Sequence, residues 1–506
     1  MDPIQAIVKS FSLEEHKDFR QFIQRKKQKG KRKDLQLYDF FYEANQPEKS
    51  EILAHLYDSE SAAAKNAYHT IRKRLQKEIN DFLYLKRVEQ DLSKTAEVHK
   101  SLILVQHLLE HRLFKLAWKH LNKAEKIALE SEYNQELVLI YNLQIQYYSP
   151  AFATKSVNEI VANRIKANAL YQEDENLKII GSLVKQELER IIKEGEDIDL
   201  QRLTDQLIRQ FELENALFNR PKLLFNFVFL TRTVFLGKKD YKSIEGFLLN
   251  SFKKLKRTEY LEKNKADYLK ILYACSHTLY RNKKFSEAIQ YLEEMESVLD
   301  EVTKGIYKEY FPKYLLLYSA CENFRGQLDF SIELLEQTLE IDYLQKVDFL
   351  NGTLNLAVYY FEKENFKKAN QVLMNIGHTD NWLEKNMGVE WRLKKHIIES
   401  IFQFELGNPD LSFDRITSIE RAFPALLKTS KYQKVTVFLA LLKKVVNNPT
   451  IAQSNDFLKQ VEGSFDWVGA ANEDLQEMSY YAWLKSKMQG KKFYEVLLEL
   501  MQLDDS

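Results

Sequence analysis

Glycine and proline are scarce in this chain, 14 and 8 residues in 506, or about 4% against a typical total of roughly 12%. A strand-rich fold needs turn residues every ~8–12 positions, so an all-β chain is excluded. A collagen-like or glycine-rich linker protein is excluded for the same reason. The two cysteines, Cys275 and Cys321, are too few for a secreted disulfide scaffold and fit a reducing compartment. No stretch reaches the ~18 uncharged apolar residues of a membrane span. The longest candidate, Leu223 to Leu230, closes before Arg232. Met1 to Lys9 carries no apolar run with a cleavage site, so no signal peptide is expected and the expected location is the cytoplasm. Charge of one sign is missing too. The 74 Lys+Arg balance 73 Asp+Glu to a net +1, which gives no global pull toward nucleic acid or anionic lipid. Gly-rich phosphate cradles, a G-x-S-x-G elbow and C-x-x-C pairs are all absent from the sequence. No enzymatic activity, cofactor or metal is therefore expected. What remains is 45% apolar and 12% aromatic, enough to bury a large core and too much for a disordered chain.

The apolar residues recur in a repeated unit. An apolar helix is followed by a short polar turn, then by a second helix that opens on a small residue with an apolar one four positions later. Phe114-Lys-Leu-Ala117 with Leu121, Tyr241-Lys-Ser-Ile244 with Leu248, Phe285-Ser-Glu-Ala288 with Leu292, Leu328-Asp-Phe-Ser331 with Leu335 and Phe366-Lys-Lys-Ala369 with Leu373 carry it. Ser412 with Ile416 and Phe493-Tyr-Glu-Val496 with Leu500 are weaker copies. The anchors 244, 288, 331, 369 and 412 are spaced 44, 43, 38 and 43. The gap from 117 to 244 has room for three more units of about 42 residues, and stretches such as Val157, Ile160, Val161, Ile165 and Leu203, Leu207, Ile208, Phe211 keep helical periodicity within it. One helix pair cannot bury its apolar face alone, whereas stacked pairs share a continuous core. A small residue such as Ala117, Ala288 or Ala369 admits the second helix, and the aromatic three positions earlier plugs the corner. The expected fold is all-α: a right-handed α-solenoid of about ten antiparallel helix pairs over 93–506, preceded by a helical cap or head over 1–92.

The stretch Leu272-x2-Cys275-Ser276-x2-Leu279-x5-Phe285-x2-Ala288-x3-Leu292 resembles a tetratricopeptide repeat, as does Thr353-x2-Leu356-Ala357-x2-Tyr360-x5-Phe366-x2-Ala369-x3-Leu373. The units here are longer than the family's 34 residues. The turn glycine is replaced by Lys283 or Glu364, and the terminal proline is missing. The resemblance implies a concave groove lined by the first helix of each pair, holding a protein or peptide partner. On that face the sequence offers Asn226, Lys270, Tyr273, His277, Arg281, Asn351 and Asn355. The family's chaperone-tail clamp is not implied, because Tyr273 and His277, then Leu316 and Ala320, stand where it needs paired Lys and Asn.

The first 92 residues hold 18 Lys+Arg against 15 Asp+Glu, so the basic excess is local. Ser12-Leu-Glu-Glu15 reads as a capping box for a helix to about Arg25. Helices follow near 35–43, from Pro47–Glu48 to about Tyr57, and from Ser59 or Ser61 to about Arg87, the last with an apolar stripe of Tyr68, Ile71, Leu75, Ile79 and Phe82. Arg25, Lys26, Lys27, Lys31, Arg32 and Lys33 belong to a run with seven positive charges in nine residues. That run is either a solvated loop or a phosphate contact. Lys65, Arg72 and Lys73 lie opposite the apolar stripe. With them the segment faintly resembles the helix–turn–helix head of bacterial regulators that carry tetratricopeptide repeats, which supplies the alternative of a nucleic-acid-binding regulator. His107-Leu-Leu-Glu110-His111 matches an H-x-x-E-H zinc pattern. It sits in the first helix of a repeat beside Leu104, Val105 and Leu108, taken as core, and reads as an ordinary polar helix side. Cys275 and Cys321, 46 apart, are expected in similar small core sites.

Overall fold

A computed structural model describes the chain apart from residues 1, 26–31, 45–46, 58, 60, 91–92, 195–199, 238–239, 430–431, 466–472 and 503–506. Every regular element among the described residues is helical, as a chain so short of turn residues requires. The chain divides into two compact units, residues 1–175 and 176–506.

The first unit contains α1 (Pro3–Lys9), α2 (Leu13–Arg25), α3 (Lys33–Glu43), α4 (Lys49–Tyr57), α5 (Ala62–Gln90), α6 (Lys94–Glu110), α7 (Phe114–Glu130), α8 (Asn134–Gln146) and the start of α9 (Val157–Glu194). The capping box forms as expected. The Ser12 N–H donates to Glu15 Oε2 at 2.9 Å, and the Glu15 N–H donates to Ser12 Oγ at 3.1 Å. Ser61 Oγ caps α5 by accepting from the Ala64 N–H at 3.2 Å. The α5 stripe of Tyr68, Leu75, Ile79 and Phe82 is buried in one core with Phe19, Tyr38, Phe41 and Leu53. A second core gathers Val98, Val105, Trp118, Leu121, Ile140 and Tyr141 around α6, α7 and α8. Leu104 is not in it. It is 40% exposed, because it flanks the buried stripe of Val98, Ser101, Val105 and Leu108 on α6 instead of lying in it.

Between α7 and the anchor at 244 the sequence suggested three units of about 42 residues. The chain instead runs through α8, the 38-residue α9, α10 (Leu200–Gln210), α11 (Glu214–Asn219) and α12 (Pro221–Gly237). Residues 157–194 hold no proline and one glycine, Gly181, so nothing in them breaks a helix. Gly181 serves a close approach: a Cβ there would meet Leu230 Cδ1 of α12 at 3.2 Å.

From α12 onward the second unit is regular. It continues with α13 (Tyr241–Lys256), α14 (Tyr260–Lys263), α15 (Lys265–Arg281), α16 (Phe285–Leu299), α17 (Lys304–Phe324), α18 (Leu328–Leu339), α19 (Lys346–Glu362), α20 (Phe366–Met374), α21 (Asp380–Met387), α22 (Val389–Glu405), α23 (Pro409–Ala422), α24 (Pro424–Leu427) and α25 (Gln433–Asn447). After a 3₁₀ turn at Pro449–Gln453 come α26 (Asn455–Ser464), α27 (Leu475–Gln489) and α28 (Phe493–Gln502). α12 packs on α13, α15 on α16, α17 on α18, α19 on α20 and α22 on α23. Each pair meets the next: α15 also touches α13 and α17, and α19 touches α17 and α22. The anchors Ile244, Ala288, Ser331, Ala369 and Ser412 are each 0% exposed, so the small ones among them set how closely the two helices approach. Where serine replaces alanine its hydroxyl must find an acceptor. Ser331 Oγ donates to the Ser319 carbonyl at 3.0 Å and Ser412 Oγ to the Ser400 carbonyl at 2.8 Å. Cys275 and Cys321 are buried and free, and burial pushes both thiols up.

The turn is the same in the four pairs from α15 to α23. Lys283, Gly326, Glu364 and Gly407 have φ of 64°, 88°, 62° and 80°. The N–H of the next residue donates five positions back: Lys284 to Leu279, Gln327 to Glu322, Asn365 to Tyr360 and Asn408 to Gln403, at 2.9–3.0 Å. This Schellman closure needs a left-handed residue, which glycine adopts without strain and other residues at roughly 1 kcal/mol. Glu212, at φ 55° with the Leu213 N–H on the Ile208 carbonyl, closes α10 in the same way. Glu212→Gly is expected to stabilise the protein by about 0.5–1 kcal/mol in urea unfolding; destabilisation would contradict the left-handed assignment.

Candidate functional site

The first-helix residues singled out in the sequence separate into three groups. Lys270 and Asn226 are exposed, and Lys270 Nζ sits 4.3 Å from the Phe229 ring centroid, joining α15 to α12. Tyr273, His277 and Arg281 follow on the same face of α15, as spacings of three or four residues dictate. The Tyr273 and His277 rings stack at 6.1 Å, Tyr241 packs on His277 at 5.9 Å, and the Arg281 guanidinium lies 4.8 Å over Tyr241. Asn351 is engaged inside the fold, where its Oδ1 accepts from Trp391 Nε1 at 2.9 Å. Asn355 lines a cavity described below.

The second group includes a residue the sequence reading missed, Arg232. Its Nε is shut off from solvent without a hydrogen-bond partner, and so is Nδ1 of His277. No carboxylate among the described residues pairs with Arg232. Burial pulls its pKa down, partly offset by Tyr273 and Tyr241. Burial, with the charges of Arg232 and Arg281, pushes His277 down to about 3, so this imidazole is neutral at physiological pH. The patch therefore holds one buried donor without an acceptor, Arg232 Nε, beside an unpartnered imidazole nitrogen that donates or accepts according to its tautomer.

The C-terminal helices lie along the row of turns. Asp474, at the start of α27, forms an ion pair with Arg281. The Glu473 carbonyl accepts from Lys283 Nζ at 2.6 Å, and the Glu473 carboxylate pairs with Lys434 at 2.7 Å. Burial and the neighbouring Glu473 push Glu477 up. Farther along α27, Trp483 Nε1 donates to Glu405 at 2.8 Å, and Lys487 pairs with Glu405 at 2.5 Å. In α28, Phe493 packs on Phe361 at 5.7 Å, and the Tyr494 hydroxyl donates to the Asn323 carbonyl.

Under α27 lies a cavity of about 160 Å³. Its lining includes Tyr280, Asn323, Asn355, Phe361, Glu362, Phe402, Tyr480 and Trp483. Glu362 is 6% exposed and Asn323 1%. Asn323 Nδ2 donates to Glu362 Oε2 at 2.9 Å, while Asn323 Oδ1 is buried without a partner. Burial pushes the Glu362 carboxyl up to about 8 against the effect of that hydrogen bond, so it is largely uncharged at neutral pH. Neither residue stood out in the sequence. Aligning the units on their turn residues would have shown a charged side chain recurring two positions before the turn, at Arg281, Glu362 and Glu405.

In the first unit the basic residues are divided. Lys26, Lys27 and Lys31 lie outside the described residues. Arg25, Lys65 and Lys73 are exposed. Arg32 is engaged: it pairs with buried Asp34 at 2.7 Å and donates to the Ile23 carbonyl at 2.5 Å. Lys33 Nζ donates to the Leu56 carbonyl at 3.0 Å, and Arg72 pairs with Asp2 at 3.1 Å. Arg32→Ala is therefore expected to cost about 2–3 kcal/mol of stability in urea unfolding, because Asp34 keeps only Arg74, at 3.0 Å, as counter-ion. A stable variant with weakened DNA binding would reverse this assignment. His107, Glu110 and His111 bring their ligand atoms within 4.8 Å of one another on the exposed end of α6, and His111 Nδ1 bonds the His107 carbonyl at 2.9 Å. Two imidazoles and a carboxylate can hold a divalent ion, but all three are exposed.

No helix among the described residues is long and apolar enough to cross a membrane. Comparison with protein-family models, with curated proteins and with solved structures finds no match.

Proposed function

We propose that the helix pairs of residues 176–506 stack as a tetratricopeptide-like, right-handed solenoid, and that the protein is a non-enzymatic cytoplasmic scaffold holding a protein or peptide along its first helices. The observation that carries this reading is the patch of Arg232, Tyr241, Tyr273 and His277. Its buried Arg232 Nε has no acceptor, and an unmet buried donor costs roughly 1–3 kcal/mol. A peptide backbone supplies carbonyl acceptors at regular intervals, and the two tyrosine rings supply flat contact area. The nucleic-acid alternative has less support, since Arg32, Lys33 and Arg72 are occupied within the fold.

The test is affinity purification of the full chain beside two double variants. One is Tyr273→Ala with His277→Ala. The other is Asn226→Ala with Lys270→Ala, both exposed positions that leave the core untouched. Each is expected to lose the partner that the unaltered chain retains, with helical circular dichroism unchanged. Retention of the same partner by both variants would overturn the reading.

A further inference from the structure

Arg281, Phe324, Glu362 and Glu405 occupy the same place in four successive helix pairs, two positions before the left-handed turn residue. α27 passes alongside them. Arg281 is met by Asp474 and Glu405 by Lys487. At Glu362 the series is broken. No cation among the described residues pairs with it, and it lines the cavity.

At Glu362 and Asn323 the cavity is short of donors. Asn323 spends its amino group on Glu362 and leaves its own Oδ1 buried without a donor. The polar groups at Glu362 and Asn323 therefore offer acceptors once the carboxyl is ionised. Around them stand the rings of Tyr280, Phe361, Phe402, Tyr480 and Trp483. Aromatic faces carry negative charge density and attract cations, most strongly when water is excluded. A space of ~150 Å³ takes a guest the size of benzene, which also matches the end of an alkyl chain and its head group. Two cations line the cavity too, Lys394 and Arg281, the latter paired with Asp474, so an incoming positive charge must be met by an ionised Glu362.

We propose that this cavity binds a protonated alkylamine, whose ammonium group donates to Glu362 and to Asn323 Oδ1 while its alkyl stem lies against the stacked pair Phe361–Phe402 and the Trp483 ring. The amine is either a lysine side chain of the bound partner or a free small amine. The inference rests on the binding role assigned to the first helices and names the chemistry bound at one point along them.

Binding is coupled to a proton. Below about pH 8 the empty site holds a mostly neutral carboxyl; as the ammonium arrives, Glu362 releases its proton to solvent and the pair becomes carboxylate and ammonium. The groups facing Glu362 are Asn323 from α17, Tyr280 from α15, Tyr359 from α19 and Tyr494 from α28, and the nearest charges are Lys394 on α22 and the Arg281–Asp474 pair. Burial raises all three tyrosines, which leaves Glu362 to carry the pH dependence.

The experiment is calorimetric titration of the full chain with n-butylammonium and with a lysine-bearing tripeptide blocked at both ends, the norleucine tripeptide serving as control. It is run at about pH 6 and about pH 8, in buffers of different ionisation enthalpy. Amine binding is expected to tighten about fiftyfold from the lower to the higher pH and to release close to one proton at the lower pH. The norleucine peptide is expected not to bind. Glu362→Gln is expected to weaken binding at least about tenfold at the higher pH and to abolish proton release, and Asn323→Ala to weaken it as well. Tighter binding of the peptide assigns the site to a partner's lysine; tighter binding of butylammonium assigns it to a free amine. Binding of neither, or binding independent of pH and unchanged in Glu362→Gln, overturns the inference. The scaffold reading is then decided separately by the two first-helix double variants.

Discussion

Replacing Trp483 by alanine is expected to cost about 3–5 kcal/mol, read as a lowered urea midpoint. Trp483 is 1% exposed. Its ring meets Phe404 at 5.8 Å and Phe438 at 6.1 Å, both edge-on, and its N–H is held by Glu405. One side chain thus fastens α27 to both α22 and α25. Truncation would enlarge the cavity that Trp483 already borders, and the unmet contacts of that void are what set the cost. A loss under about 1 kcal/mol would mean that α27 does not dock along the turns.

The second large effect runs the other way. Glu362 has an ordinary value of 4.5 and is raised to about 8 in the folded chain, so the native state holds a proton that the unfolded chain has lost. A raised carboxyl of this kind leaves stability intact below about pH 4.5 and removes it progressively as pH climbs toward about 8, at roughly 1.4 kcal/mol per unit. Glu362→Gln keeps the acceptor for Asn323 Nδ2 and abolishes the titration. It is expected to match the parent near pH 4.5 and to be more stable by about 3 kcal/mol at pH 7, measured by urea unfolding at several pH values. A gap that did not widen with pH would place Glu362 in a less buried setting. Such a residue weakens the fold at working pH, a pattern expected where binding depends on the strained group.

Local signals in the sequence led to local structure. The Ser12–Glu15 capping box, the apolar stripe of α5 and the spacing of small anchors each describe contacts within a turn or two of helix. Lys283 and Glu364 were legible as turn residues despite lacking glycine's freedom, because their position in the unit demanded a left-handed residue. Long-range closure was not legible. Phe493 and Val496 looked like one more weak repeat, whereas α28 lies with α27 against turns that are more than a hundred residues earlier in sequence, as the Tyr494–Asn323 and Arg281–Asp474 contacts show. Periodicity carries no information about partners at that separation. The cavity was invisible for the same reason: its walls come from α15, α17, α19, α22, α27 and α28. Of the residues offered for the proposed groove, Tyr273 and His277 stack on one another, whereas Asn351 is taken up by Trp391. Residues 157–194 show the opposite error, since helical periodicity alone does not say where one helix stops.

The central claim is that recognition occurs along the first helices and beneath α27. It is tested most directly by photo-crosslinking in cells from single positions carrying benzoylphenylalanine. Lys270 on α15 and Asn355 on α19 would sample the proposed face; Glu287 on α16 and Lys367 on α20, both exposed, would sample the second helices. A discrete adduct from the first two positions and none from the last two is the expected result. Adducts from the second-helix positions alone, or equally from all four, would contradict it.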